Sequence, residues 1–270
     1  MVIQHNIAAN NAYRNLSSNA SNGQKNLEKL SSGYRINRSA DDAAGLAISE
    51  QMRSKINGLD QATANASDAI GLIQTAEGAL TETHSMLQRM VTLATQSANG
   101  TYNSTARAAI GEEVTALKAE IDRISSTTDY NGVKPIGSTS AITVQIGPTS
   151  VETLSIAAAK MDATSLGVNG IAVGSVSDAN SAITKINDAI NTVSTHRAKL
   201  GASQNRLEHT INNLKTTNEN MTAAESRIRD TDMAKEMAAF TKNNILNQAA
   251  QSMLSQANQI GRASCRERVC

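Results

Sequence analysis

The chain has 270 residues, a formal net charge of +1 and 40% hydrophobic residues, yet only 2% are aromatic: no Trp, one Phe and four Tyr. The side chains that usually dominate core burial are therefore nearly missing, and Ala, Leu, Ile, Ser, Thr, Asn and Gln fill their place, a composition suited to slender helices packed along their length. Lys and Arg are mixed with Asp and Glu instead of forming a basic face, which argues against nucleic acid as a partner.

The first residues, "MVIQHNIAANNAYRNL", carry neither a basic stretch nor an unbroken apolar one, so they do not read as a Sec-type signal peptide. No stretch approaches the roughly 18 apolar residues of a membrane span, so no membrane is expected as partner. Ala9, Tyr13, Leu16, Ala20, Gly23, Leu27, Leu30 and Tyr34 then recur at alternating steps of four and three, the apolar seam of a heptad helix.

The next stretch, "SSGYRINRSADDAAGLAISEQM", packs arginines, adjacent aspartates and glycines between two helical runs. Consecutive Asp41 and Asp42 diverge by about 100° on a helix, so they cannot share one substrate as an acid/base pair. A joint fits better. Gly33 can take the left-handed position that ends a helix. Ser39 can cap the next helix with Asp42 at its third position, both aspartates favouring the positive helix end. Arg35 and Arg38 are then available to pair with these acids or to reach a neighbouring chain.

A second heptad run reads Met52, Ile56, Leu59, Thr63, Ala66, Ile70, Ile73, Glu77, Leu80, His84, Leu87, Val91 and Ala94, and predicts one long helix. A shorter run follows at Ile110, Val114, Leu117, Ile121 and Ile124. Near residue 131 the pattern changes. Both prolines lie in this part of the chain, Gly becomes frequent, and "AITVQIG" alternates Ile142, Val144 and Ile146 with polar residues; with "VETLSIAA" after the turn "GPTS" it predicts a β-hairpin. Ser177 or Asp178 can cap the returning helix. Its seam reads Ile183, Ile186, Ile190, Val193, Arg197, Leu200, Gln204, Leu207, Ile211, Leu214, Asn218, Met221, Glu225 and Ile228. The polar seam members (Thr63, Glu77, His84, Arg197, Gln204, Asn218) either fix register at a cost in stability or lie at loosely packed edges.

The expected fold is therefore mainly α, an elongated antiparallel helical bundle or coiled coil with a small β-hairpin tip and both termini at one end. The four histidines show no metal-ligand spacing and no thiolate or carboxylate cluster joins them. Both cysteines, Cys265 and Cys270, lie in the last six residues, and no phosphate-binding glycine loop or nucleophile elbow is present. Neither catalysis nor a cofactor is expected. Long one-sided helices with few other contacts gain order by assembling with copies of themselves.

The words of the sequence carry a more specific resemblance. "VIQHNIAANNAYRNL", "LEKLSSGYRINRSADDAAGLAISEQMRSKINGL", "NASDAIGLIQTAEGALTETHSMLQRMVTLATQSANGT" and "RIRDTDMAKEMAAFTKNNILNQAAQSMLSQANQ" closely resemble bacterial flagellin, over nearly all of residues 1 to 260. The resemblance implies a secreted subunit that polymerises with itself into the flagellar filament for motility; the alternative is the hook-filament junction protein of the same structural class. It implies a terminal inner-tube layer of residues 1–40 with 229–270, and an outer-tube layer of 41–130 with 178–228. A short β-rich tip at 131–177 stands where longer relatives carry variable domains. Residues 31–52 then join the two layers, and Leu16, Leu27, Leu30, Met237 and Phe240 belong to the assembly seam.

The implied partners are further copies of the chain, a flagellar export chaperone with type III export, the filament cap and hook-associated proteins, and the host flagellin-sensing Toll-like receptor. For that receptor the resemblance carries over Arg89, Leu93 and Gln96 of "LQRMVTLATQ", with Glu113 on the following helix. The family places this face inside subunit contacts, so the monomer is expected to bind. After "SQANQI" the chain departs from the family's apolar ending and reads "GRASCRERVC". Three arginines there are costly in a packed layer, and this end is expected to be foreign to the family, through truncation or read-through.

Overall fold

The computed structural model describes residues 6–266, with side chains described as far as Gln259. Five helices and one two-stranded antiparallel sheet are present among them, in the order α1 (Ile7–Ser32), α2 (Ala43–Ser97), α3 (Ser104–Thr127), β1 (Ile142–Gln145), β2 (Thr153–Ile156), α4 (Val176–Arg229) and α5 (Met233–Arg266). The mainly α fold with a small hairpin follows the sequence expectation.

Each helix begins where a side chain can accept its free amides. Asn6 accepts from the Ala9 amide at 3.1 Å and Asn103 from that of Ala106 at 2.8 Å. At α4 the cap is Ser175, whose hydroxyl oxygen accepts from the Asp178 amide at 3.1 Å while the hydroxyl donates to the Asp178 carboxylate at 2.6 Å. This is a variant of the capping box, in which the N-cap hydroxyl, not its amide, donates to the carboxylate. It replaces the expected Ser177 or Asp178 as cap, because the helix starts at Val176, two residues earlier than a Ser177 cap requires. Asp232 caps α5 through the Lys235 amide at 3.1 Å.

The chain divides into two compact units, one made of the first 54 residues with residue 220 onward, the other of Lys55–Glu219. The divisions fall inside α2 and α4.

The larger unit holds the hydrophobic core. Heptad pairs Leu59/Ala62, Ala66/Ala69, Ile73/Ala76, Leu80/Thr83 and Leu87/Met90 of α2 are all buried. On α4 the buried set is Ala179, Ala182, Ile186, Ala189, Val193, His196, Leu200, Leu207 and Leu214. From Ala62 to Met90 of α2 and from Ala182 to His196 of α4, every second member of the expected seams is thus displaced by one residue toward the N-terminus. Ala62, Ala69 and Ala76 stand in place of Thr63, Ile70 and Glu77, and Ala182, Ala189 and His196 in place of Ile183, Ile190 and Arg197. Small side chains let helix backbones approach, while the larger neighbours Ile70, Ile183 and Ile190 cover the seam from its flank. The polar residues go to the edge, where Arg197 and Glu77 pair at 3.3 Å, both partly exposed.

The hairpin closes the same core. Its register pairs Ile142 with Ile156 and Val144 with Leu154, and Leu154 and Ile156 are buried. Asn65 on α2 donates to the Gln145 carbonyl at 3.1 Å. The turn at Asn131 and Gly132 has φ of 51° and 83°, conformations that Asn and Gly tolerate, and it brings Tyr130 and Val133 into an antiparallel bridge.

Candidate functional site

Three regions hold the residues singled out from the sequence. The first is the joint in the terminal unit. Gly33 ends α1 with φ of +76°, and its amide bonds the Lys29 carbonyl at 2.8 Å. The chain then meets the break between α4 and α5. The Arg35 amide donates to the Arg229 carbonyl at 2.6 Å, the Thr231 amide to the Gly33 carbonyl at 2.9 Å, and Tyr34 and Asp230 form an antiparallel bridge. Both helical paths are interrupted together, and the two exposed backbones satisfy one another.

Side chains complete this joint. Asp42, not Ser39, caps α2, accepting from the Gly45 amide at 2.9 Å. Ser39 lies in the preceding turn, too early to reach the helix end. Asp41 accepts from the Arg38 amide at 3.0 Å and the Asn37 amide at 3.2 Å, bonds that hold its carboxyl below the usual range. The two arginines find other partners than these acids. Arg38 pairs with Glu28 at 2.9 Å, and the Arg35 guanidinium donates to the Ile228 carbonyl. Ile36 is buried beneath the joint, and a Cβ on Gly45 would fall 2.9 Å from its Cδ1, so the close approach requires glycine.

Arg229 is the residue the sequence reading missed. Its guanidinium lies 4.6 Å from the Tyr34 ring centroid and pairs with Glu50 at 2.5 Å, with the side chain only 12% exposed. No spacing in the sequence connects these three positions; the only local signal is that Arg229 closes α4.

The second region is the α1–α5 pair. No residue of α1 is buried. Leu16, Leu30 and Phe240 are half-buried between the two helices, whereas Leu27 and Met237 point outward. With Ile7, Tyr13, Met233, Ile245, Leu246 and Met253 they form an exposed apolar set. The seam instead contains Asn19 and Asn26 on α1 and Asn243 and Asn247 on α5. Asn6 links the ends of the pair by donating to the Ala257 carbonyl at 3.0 Å. Cys265 lies in the part of α5 without described side chains, and Cys270 lies outside the described residues.

The third region lies on α2 and α3. The Arg89 guanidinium contacts one Glu113 carboxylate oxygen at 2.7 Å and 2.8 Å, both side chains about half exposed. Gln96 donates to the Tyr102 hydroxyl at 3.0 Å. Leu93 is 2% exposed and belongs to the core, so it supports this face from beneath and does not project from it. Among the described residues no group of three His, Cys, Asp or Glu could hold a metal ion, and no helix is long and apolar enough to cross a membrane.

Helices that pair the two ends of the chain, a small hairpin and large apolar side chains left exposed on that pair fit a structural subunit. The family models of the bacterial flagellin N-terminal and C-terminal helical regions match residues 3–136 and 183–263. A flagellin of Halalkalibacterium halodurans is 53% identical over 263 residues, covering 96% of each chain. One from Bacillus subtilis is 51% identical over 294 aligned residues, covering 96% of this chain and 97% of its own. The crystal structure of Bacillus cereus flagellin superposes with a TM-score of 0.52 at 34% identity, over 60% of this chain and 94% of that one. A structure from Vibrio parahaemolyticus assigned to the flagellar hook-associated proteins reaches 0.59 at 12% identity, over 70% of this chain and all of its own, a likeness of fold alone. The chain belongs to the bacterial flagellin family, whose members are structural components of the extracellular flagellar filament.

Proposed function

We propose that this flagellin polymerises by burying the outward face of its α1–α5 pair against neighbouring copies, making the inner layer of the filament, while the residues around α2, α3 and α4 make the outer layer. The observation that carries this reading is that large apolar side chains such as Leu27, Met237, Ile245 and Met253 stay exposed on the pair, while Asn19, Asn26, Asn243 and Asn247 take partly buried positions within it. Burial of that face offsets the entropy of ordering two long helices. In this reading residues 33–42 join the layers, and the chain leaves the cell unfolded by type III export with a chaperone and assembles beneath a cap protein, next to the hook-associated proteins. The filament role is favoured over a hook-filament junction by identity above 50% to flagellins along nearly the whole chain. Deleting residues 1–30 is expected to leave a helical protein that forms no filaments. Filaments of normal appearance from that variant, by electron microscopy, would refute the assignment of the pair.

A second reading concerns the flagellin-sensing Toll-like receptor. Arg89, Gln96 and Glu113 present a guanidinium, an amide and a carboxylate on one exposed face, suited to directional hydrogen bonds, with Leu93 as its internal support. Arg89→Ala is expected to weaken binding of the monomer to the receptor ectodomain at least tenfold, the loss of about 1.4 kcal/mol. Unchanged affinity in a surface-binding assay removes Arg89 from this role.

A further inference from the structure

The helix pair of the terminal unit carries a side-chain key in its interior. With the Asn26 amide turned so that both of its ends are satisfied, its nitrogen donates to a Glu236 carboxylate oxygen at 2.9 Å and to the Asn22 carbonyl at 3.1 Å, and its oxygen accepts from the Asn243 amide at 3.0 Å. One turn away on α5, Asn247 lies against Gly23, where an added Cβ would stand 3.8 Å from the Asn247 Nδ2. All of these residues except the exposed Asn22 are half-buried.

We propose that the Asn26–Asn243–Glu236 cluster specifies the register and partner choice of the α1–α5 pair, so that α1 pairs with the α5 of its own chain at one offset. The apolar inward positions do not provide such a choice. Ala9, Ala12 and Leu16 lie toward the end of the pair that holds Ala250, Leu254 and Ala257, and Leu30 toward the end that holds Phe240, in a seam in which small and aliphatic side chains fit at many offsets. A slip of one heptad that sets Asn26 opposite Ala250 leaves its amide without the Glu236 and Asn243 partners. A polar group inside a seam discriminates in this way, favouring the one arrangement that satisfies it and lowering the stability of the pair as a whole. The joint ties the pair at one end only, through backbone bonds, the Arg229–Tyr34 stack and the Arg35 bond to the Ile228 carbonyl, all of them outside the α1–α5 seam. The exposed apolar face adds no selectivity of its own, since it is sticky toward any similar face. Without the key, α1 helices of different copies would therefore compete with α5.

The test uses the full chain with Cys265 and Cys270 changed to Ser, and with Gly23→Cys and Asn247→Cys added as a register probe. Mild oxidation is followed by peptide mapping, on monomer and on polymer. The expected result is an intramolecular 23–247 disulfide. Adding Asn26→Leu and Asn243→Leu lowers its yield at least fivefold and produces intermolecular disulfides, although the two leucines raise helix content. Glu236→Gln, which keeps an acceptor for Asn26, retains the disulfide. Undiminished yield in the double-leucine variant overturns the proposal, as does absence of the disulfide in the starting chain, or a loss in Glu236→Gln equal to that in the leucine variant. The readout is independent of filament formation, so a failure to polymerise bears on the proposed function and leaves the register key standing.

Discussion

Replacing Leu27, Ile245 and Met253 together by Gln is the most direct way to ask whether the outward face of the α1–α5 pair drives assembly. These side chains are 56%, 61% and 62% exposed in the isolated chain. Full burial of a large aliphatic side chain contributes about 1.5–3 kcal/mol, so each has roughly 1–1.5 kcal/mol still to gain on being covered. The three together come to about 3–4 kcal/mol per subunit, which at ~1.4 kcal/mol per tenfold raises the critical concentration for polymerisation by roughly 10²–10³. Gln is a good helix former and the positions face solvent, so the monomer's circular dichroism is expected to stay unchanged. Sedimentation of polymer over a dilution series reads the critical concentration. A change of less than about threefold, with helicity intact, would show that this face is not where the assembly energy resides.

Other expectations concern stability. His196 is buried with its Nε2 unpartnered, and burial, then the nearby Lys199 charge, lower its pKa below the ordinary imidazole value. The unfolded chain therefore takes up a proton that the folded one resists. This contribution is fully present above about pH 6.5 and is lost as pH falls below it. His196→Leu should flatten the decline in urea midpoint between about pH 7.5 and about pH 5.5, and add roughly 1 kcal/mol at neutral pH by removing an unsatisfied buried group. An unchanged pH slope would show that another group controls it. Gly33→Ala, at φ of +76°, is expected to destabilise the terminal unit by about 1 kcal/mol, read as earlier loss of protection in α1 by amide exchange.

Much of this fold can be read from the chain because heptad spacing and turn residues are local signals. The positions Leu59, Ala66, Ile73, Leu80 and Leu87 lie in the seam as their spacing requires. The alternate row fails by one residue because Ile70 and Ala69 lie about 100° apart on the helix, and a reading weighted by side-chain size prefers the isoleucine. Packing chooses otherwise: alanine lets the helices close, and Ile70 then covers the gap from the side. The same contest misplaces Ile183 and Ile190, and on α1 it favours Leu27 over Asn26. In the last case the apolar residue is turned outward, so the error itself marks a surface to be covered. At the joint, Gly33 was legible because a left-handed residue is a local requirement. The stacking of Arg229 on Tyr34 was not, since it depends on two distant helix breaks coinciding.

That coincidence has a mechanical consequence. The amide bonds from Arg35 to Arg229 and from Thr231 to Gly33 flank the bridge between Tyr34 and Asp230, side by side on two antiparallel stretches of backbone. A pull along α1 loads them in shear, so they share the force instead of opening in sequence, and the strain passes to the chain beside the break before either helix unwinds. The place where both helices stop is thus also where a tensile load crosses from one to the other.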